Sequence, residues 1–525
     1  MSNNQDYTLI DRVKSLISIF VSTQTDSQPP YHPVDQEVVK NLEKILLKLR
    51  LEDDSMRIFN YADDLKSFWK ENIRKSIMCL RYFDEREPFK DESEKIPIAY
   101  GIDDLYDYFE KYTEFESMLY GSNKFYRDHV IHTFRTWLLG LEVLLQNSNH
   151  YLNEIHVGDN HVVNNFEKIS IWAIIALTHD LGYPLEKSQN IINQTKQMMQ
   201  SFVSNPTINM DITYSGVQNS INNFIIKFIS SKMKKKNKNC TFMDFKTSVQ
   251  TDKVLKSEDE TVKNQDKADD IVYVARLQPK YYMKLSKSLE KTNHGIISTI
   301  IVYKLLQYFL ESDYSIDEDY TFDQEEARQF YIRREILRSM ASHTCKDIYH
   351  LDMRTFSYLL IIVDDVQDWG RKRFNELLSE SAEEYQLVGI SNSFEEDNYV
   401  TRVEERLIIK KADLEQLTHT LRGLYKQNLT YKEIFRDGQD TKNRNFTFTK
   451  ECTIEYAEPR AISIVVTFNI LKSANAKFEV KIKKTNIDDL DKKFDEKWVD
   501  KTFYTDDKPQ TDGQYLTYNI LNVRK

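Results

Sequence analysis

Glycine and proline are scarce in this chain, with 12 and 10 residues among 525. Tight turns depend on those two residue types, so their scarcity argues against a fold of many hairpins and favours long helices. Cysteine is scarcer still. Cys79, Cys240, Cys345 and Cys452 lie far apart with no CxxC pair, which suggests neither a zinc knuckle nor a disulfide framework and fits a reducing cytoplasm. No apolar run approaches the roughly 18–20 residues that a membrane span requires. The opening MSNNQDYTLIDRVKSL lacks a basic start and an unbroken apolar segment, so it does not read as a signal peptide and the expected location is cytoplasmic. Positive charge is not in excess either. The formal net charge of −10 argues against general binding to nucleic acid or anionic membranes. Neither a GxSxG elbow nor a GxxxxGKS/T loop occurs, so serine-hydrolase and P-loop chemistry fall away.

What remains is a chain long enough for two or three domains with a large buried core. Segments such as VVKNLEKILLKLRL, FRTWLLGLEVLL, ISIWAIIAL, IISTIIVYKLLQYFL and FSYLLIIVDDVQDW space apolar residues at three and four, the period of a buried helix face. The expected fold class is mainly α. A helical region covers about residues 1–100 and an all-helical domain about 101–385. A polar, charged stretch at about 195–285 interrupts that domain. It reads as a solvated insertion, or alternatively as a place where Lys232, Lys234, Lys235, Lys236 and Lys238 attract polyphosphate or nucleic acid. From about 395 to 525 the texture changes: FTFTKECTIEY, AISIVVTF, KFEVKIKK and YLTYNIL read as half-buried strands. ERLIIKKADLEQLTHTLRGLYKQ reads as a strand followed by a helix. This C-terminal part is expected to be a small α+β domain suited to regulation or oligomerisation.

The residues able to carry chemistry sit where apolar helices meet polar groups. In ISIWAIIALTHDLGYP, an apolar run from Ile169 to Leu177 ends at His179 and Asp180, with Gly182 suited to a C-terminal cap and Pro184 just beyond it. A His-Asp pair alone is weak, since a buried histidine is more often held by a carboxylate for structure. Three further features strengthen it. His129 and His132 share a helix face in YRDHVIHTFRTWLLG. Asp364 and Asp365 interrupt the apolar SYLLIIVDDVQDWGR, where an unpaired carboxylate would be costly. His294 in NHGIIS and His343 in MASHTC stand between, His294 either as a ligand or at a helix start. Imidazole and carboxylate ligands together suit Mn, Fe, Ni, Zn or Co, and Mg where carboxylates dominate. Arg135, Lys187 and Arg371 lie close in sequence to these residues and are candidates to grip phosphate, or else ordinary coating of helix faces.

The order His, His-Asp, His, His, Asp resembles the HD superfamily of metal-dependent phosphohydrolases, over roughly residues 120–375. The resemblance implies an HD-type helical bundle in which His132, His179, Asp180 and Asp364 hold a divalent metal. His294 and His343 fall where two-metal members add ligands. It also implies nucleotide phosphohydrolysis: the cation lowers the pKa of a water and draws charge from the phosphoryl oxygens. Asp180 would orient the attacking group, while Glu186 and Lys187 are candidate acid, base or phosphate contacts. A deoxynucleoside triphosphate triphosphohydrolase is the leading form. The alternatives are a phosphodiesterase on a cyclic or oligomeric nucleotide, or a nucleotide-binding sensor without turnover. A nucleotide effector and a homo-oligomer are compatible partners, and such enzymes occur in nucleotide-depleting immunity against phages. Two subfamily marks are absent: Tyr183 stands where HD-GYP phosphodiesterases carry a lysine, and LGYPLEKSQNIINQTK contains no histidine where triphosphohydrolases do.

Overall fold

The computed structural model describes residues 5–24, 28–51, 62–84, 99–122, 129–158, 163–202, 216–237, 271–311, 315–316, 320–345, 354–367, 383–395, 398–409, 422–423, 445–456, 464–471, 477–483, 503–505, 510–512 and 515–524. The described helices run α1 (Gln5–Thr23), α2 (Gln36–Leu51), α3 (Ala62–Asp84), α4 (Ile102–Ser122), α5 (Val130–Glu154), α6 (Asn165–Thr178), α7 (Tyr183–Phe202) and α8 (Gly216–Ile229). They continue as α9 (Pro279–Glu290), α10 (His294–Leu305), α11 (Gln324–His343) and α12 (Phe356–Val366). The protein is mostly helical, with a smaller strand-containing region, as its scarcity of turn residues implies.

α6 occupies the middle of the helical part. Its residues from Phe166 to Thr178 are all buried, the outcome expected of a helix that is apolar all round rather than on one stripe. It starts at a capping box, in which the Asn164 side chain accepts from the Phe166 N–H and the Glu167 carboxylate from the Asn164 N–H. α5 lies against it at a spacing only glycine allows: a Cβ on Gly140 would fall 1.9 Å from Trp172 Cζ2. The Trp172 indole then donates to the Trp137 carbonyl at 3.0 Å. α1 is tied to the far face of α5 by Arg12–Glu142 and Asp6–Arg135 ion pairs. One hydrophobic cluster runs from Leu9 of α1 through α3, α5, α6, α10 and α11 to Val366 of α12.

The stretch that reads as a solvated insertion is partly built into this core. Ile225, Ile226, Phe228 and Ile229 of α8 are buried. The lysine-rich SKMKKKN forms β1 (Ser231–Asn237), paired antiparallel with β2 (Ile271–Leu277). Along β1, Met233 is buried while Lys232, Lys234 and Lys235 are exposed. One apolar side chain among lysines is enough to seat the strand but too little to show the alternation that marks strands in sequence. Lys238 and residues 251–270 lie outside the described residues.

An eight-stranded sheet follows: β3 (Glu383–Glu395), β4 (Asn398–Ile409), β5 (Asn445–Tyr456), β6 (Ile464–Leu471), β7 (Lys477–Lys483), β8 (Phe503–Thr505), β9 (Gln510–Asp512) and β10 (Tyr515–Val523). The order across it is β3-β4-β5-β6-β7-β10-β8, with β9 on β10. β4 and β5 are parallel and the other pairs antiparallel. The sheet starts at Glu383, earlier than the change of texture near 395, because EEYQLVGISNSFE breaks its own alternation at a bulge between Leu387 and Gly389. The helix expected after ERLIIKK falls almost wholly outside the described residues. β3 and β4 dock on the helices: Ile390 and Val403 belong to the helical core cluster. The Gln146 amide donates to the Ile390 carbonyl at 3.1 Å, and Tyr358 Oη to Thr401 Oγ1 at 3.0 Å. Among the described residues, no helix is long and apolar enough to cross a membrane.

Candidate metal centre

Five helices bring their ends or faces to one buried point. His132 comes from the first turn of α5, His179 and Asp180 from the end of α6, His294 from the first residue of α10, His343 from the last of α11 and Asp364 from the last turn of α12. All the metal-ligand candidates of the sequence are therefore together. The α6 end is held rigidly: the Trp69 indole donates to the Leu177 carbonyl at 2.6 Å, and Tyr108 Oη to the Leu181 carbonyl at 2.8 Å. These bonds satisfy carbonyls that a helix end leaves without internal partners.

Gly182 has a different reason to be glycine than a C-terminal cap would give. The described glycines with positive φ are Gly101 and Gly158. A Cβ on Gly182 would instead lie 2.3 Å from the His294 carbonyl oxygen and 2.8 Å from the Ser298 nitrogen. The Gly182 N–H donates to Ser298 Oγ at 2.7 Å, so the turn after the His-Asp pair presses directly on α10. Pro184 does not stop a helix; it lies in the first turn of α7, where its missing N–H costs nothing.

Each histidine is anchored through Nδ1. His179 Nδ1 donates to the Ala176 carbonyl at 2.8 Å and His343 Nδ1 to the Met340 carbonyl at 2.6 Å. His294 Nδ1 donates to Glu186 Oε2 at 2.7 Å, and His132 Nδ1 to the Gln367 side-chain oxygen. A neutral imidazole that donates from Nδ1 carries a lone pair on Nε2. Those four lone pairs point at one another and at carboxylates. His132 Nε2 is 2.7 Å from Asp364 Oδ1, while His179 Nε2 is 3.5 Å from Asp364 Oδ1 and 3.6 Å from Asp180 Oδ2. His294 Nε2 lies 3.2 Å from both Asp180 Oδ1 and His343 Nε2. His179 Nε2 is fully buried and has no hydrogen-bond partner. So many acceptors facing inward are tolerable only around positive charge.

The electrostatics agree. Burial opposes a charge on His179, yet Asp180 and Asp364 outweigh it and raise its pKa. Burial is likewise outweighed at His294, which Asp180 and Glu186 push up to about 9. His343 moves down, because burial and the nearby His179 and His294 overcome the pull of Asp180. Against their own burial, Asp180 and Asp364 are held well below the carboxylate range by the surrounding histidines. Protons cannot occupy every facing nitrogen without placing like charges in contact, whereas a cation satisfies all of them. Two overlapping groups have ligand atoms within 4.8 Å of one another, His132–His179–Asp364 and His179–Asp180–His343. These buried groups could hold a metal ion.

Other expected site residues are placed differently. Glu186 accepts from both the backbone N–H and Nδ1 of His294, at 2.9 and 2.7 Å, so it orients that imidazole. His294 draws its pKa down to about 2 in spite of burial, which keeps it ionised and unfit as a general acid near neutrality. Lys187 lies beside Glu186 at 3.3 Å and over the Tyr183 ring at 4.5 Å, half-buried at the edge of the cluster. Arg135 is not brought to the site. Its buried guanidinium forks onto the Asp6 carboxylate at 2.7 and 2.6 Å, pinning α1. Arg371 lies outside the described residues, and Asp365 is exposed. His129 joins the cluster from outside, its Nδ1 2.9 Å from Asp180 Oδ2 and its ring 3.8 Å from that of Tyr183.

Gln367, which fixes the His132 tautomer, was not legible in sequence. A glutamine three residues past a candidate ligand carries no signal until α12 is seen to end there. Tyr183, packed between His129 and His294, stands out in sequence only as a departure from the HD-GYP pattern. Comparison of the chain with protein-family models, curated proteins and solved structures finds no match.

Proposed function

We propose that the protein is a metal-dependent phosphohydrolase of the HD type acting on nucleotides, with an HD-type bundle followed by a small α+β regulatory or oligomerising domain. The observation that carries this reading is the inward convergence of four Nε2 lone pairs and two carboxylates on a buried point, in the chain order His, His-Asp, His, His, Asp. His132, His179, Asp180 and Asp364 would hold one divalent ion, with His343 and His294 serving a second. When bound, such a cation supplies Lewis-acid polarisation of a phosphoryl oxygen and a water of lowered pKa.

The chain's own residues would do the rest. Nδ1 bonds to Ala176, Met340, Glu186 and Gln367 fix the imidazoles before substrate arrives, so little reorganisation accompanies binding. Asp180, reached by His129 from one side and His294 from the other, would orient the group that attacks the phosphorus. Lys187, at the partly open edge, is available to meet a phosphate oxygen.

Product analysis by mass spectrometry tests the reading. Purified protein with Mn²⁺ or Mg²⁺ is given deoxynucleotides, ribonucleotides and cyclic nucleotides, with Asp180→Ala as control. Tripolyphosphate release that vanishes in the variant identifies a deoxynucleoside triphosphate triphosphohydrolase, and a linear nucleotide identifies a phosphodiesterase. Absence of turnover with either metal on every substrate would refute the enzyme reading and leave a nucleotide-binding sensor.

A further inference from the structure

A second charged group sits on the opposite face of the helix that delivers His343. Along α11, Arg334 and Arg338 are four residues apart and share a stripe, with Tyr331 one turn earlier. At 100° per residue, they lie roughly 140–180° around the helix from His343. The Arg334 guanidinium lies over the Tyr331 ring at 4.8 Å and that of Arg338 over the Tyr281 ring of α9 at 4.5 Å. Arg334 is 7% exposed, and its Nη1 donates to the Ser231 carbonyl at 3.1 Å, where α8 passes into β1.

Neither arginine makes an ion pair among the described residues. Glu335 is the carboxylate whose field reaches Arg338, and it does not bridge to either. Burial and the neighbouring Arg334 hold Arg338 down at about 10. Arg334 Nε is buried with no hydrogen-bond partner, and so is the hydroxyl of Ser230, next in chain to the Ser231 that Arg334 touches. Buried arginines in folded proteins are ordinarily matched by carboxylates. Elsewhere this protein follows that rule, with Arg135 on Asp6 and Arg328 and Arg333 on Asp84. Arg334 and Arg338 depart from it, and Arg338 remains partly exposed, which leaves a way in from solvent.

We propose that the junction of α11 with the start of β1, carrying Arg334 and Arg338, binds a multiply charged oxyanion of the phosphate class at a position separate from the His–Asp cluster. Guanidinium groups present planar forks that match phosphate oxygens. The proposal does not rest on the phosphohydrolase reading, and its test is independent of metal.

The experiment is isothermal titration calorimetry of the full chain, freed of metal with EDTA, against sodium tripolyphosphate at fixed ionic strength. Binding is expected in the wild type and unchanged in His343→Ala, which alters only the opposite face of α11. Arg338→Gln should weaken it by about tenfold or more, as loss of a charge-assisted fork does. Should Arg338→Gln not fold, Arg338→Lys keeps the charge, removes the fork and should still weaken binding. No heat with the wild type, equal affinity in the folded Arg338 variant, or loss of binding in His343→Ala would each overturn the proposal.

Discussion

His132 Nε2 and Asp364 Oδ1 are 232 positions apart in the chain and meet at 2.7 Å. With Nδ1 of His132 committed to Gln367, both atoms of this pair are acceptors unless a proton or a metal lies between them. The contact therefore reports on what occupies the cluster.

Asp364→Asn turns that relationship into a measurement. The amide can donate to His132 Nε2, so the metal-free variant should be at least as stable as the metal-free wild type. Metal affinity should fall by about a hundredfold, because an anionic ligand is replaced by a neutral one. Metal content after dialysis, read by inductively coupled plasma mass spectrometry, and melting temperatures with and without Mn²⁺ check both halves. A variant that retains stoichiometric metal would remove Asp364 from the ligand set.

Arg135 tests a structural role against the phosphate-binding role its sequence position suggests. Its side chain and that of Asp6 are mostly buried and joined by two hydrogen bonds. Arg135→Ala leaves the Asp6 carboxylate without its fork where α1 packs on α5, and should cost about 3 kcal/mol of stability. Denaturant titration reads that loss. In whatever fraction stays folded, KM for a nucleotide substrate should be unchanged; a large rise in KM would restore Arg135 to the substrate.

The candidate ligands His179, Asp180 and Asp364 were legible because they end apolar helices with groups that have no business in a core. IIALTHD and LLIIVDD announce themselves for that reason. His294 and His343 were legible only through their order, and the structure brings them to Asp180. Second-rank contacts were not legible. Glu186 reads equally as acid, base or phosphate contact until α7 is seen to cross the start of α10. Arg135 reads as a phosphate contact until α1, more than a hundred residues upstream in sequence, is seen to cover it. Among the elements, β1 was hidden because four of its seven residues are lysine. β10, with its β-branched and aromatic residues, was plain.

His32 supplies a pH dependence unconnected to metal. It is buried against the Phe166 ring, with centroids 4.6 Å apart, and its Nδ1 has no partner. Burial lowers its pKa from 6.5 to about 4, with Asp35 opposing and Lys75 assisting. Between those values the unfolded chain takes up a proton that the folded chain does not. Stability contributed here is thus complete above about pH 6.5 and declines as pH falls toward 4, by about 3 kcal/mol in all. His32→Phe should flatten that part of the profile, as measured by chemical denaturation at pH 7.0 and pH 4.5. An unchanged slope would show that other groups dominate the acid limb.

Gly182→Ala asks how tightly the His-Asp turn is built onto α10. The new Cβ would stand 2.3 Å from the His294 carbonyl and 2.7 Å from Ile297 Cβ, so neither neighbour can yield by turning a flexible side-chain end. α10 must move away, and His294, its first residue, moves with it. Overpacking of this kind costs about 1–3 kcal/mol, a loss the large core should absorb without unfolding. Metal binding should suffer more than stability, because Asp180 and His294 are 3.2 Å apart only while the turn and the helix start touch. Metal titration of the folded variant should show affinity reduced by about tenfold or more. Wild-type affinity with a normal melting temperature would mean that the ligands find their geometry without this contact, and that the glycine answers to some other demand of the fold.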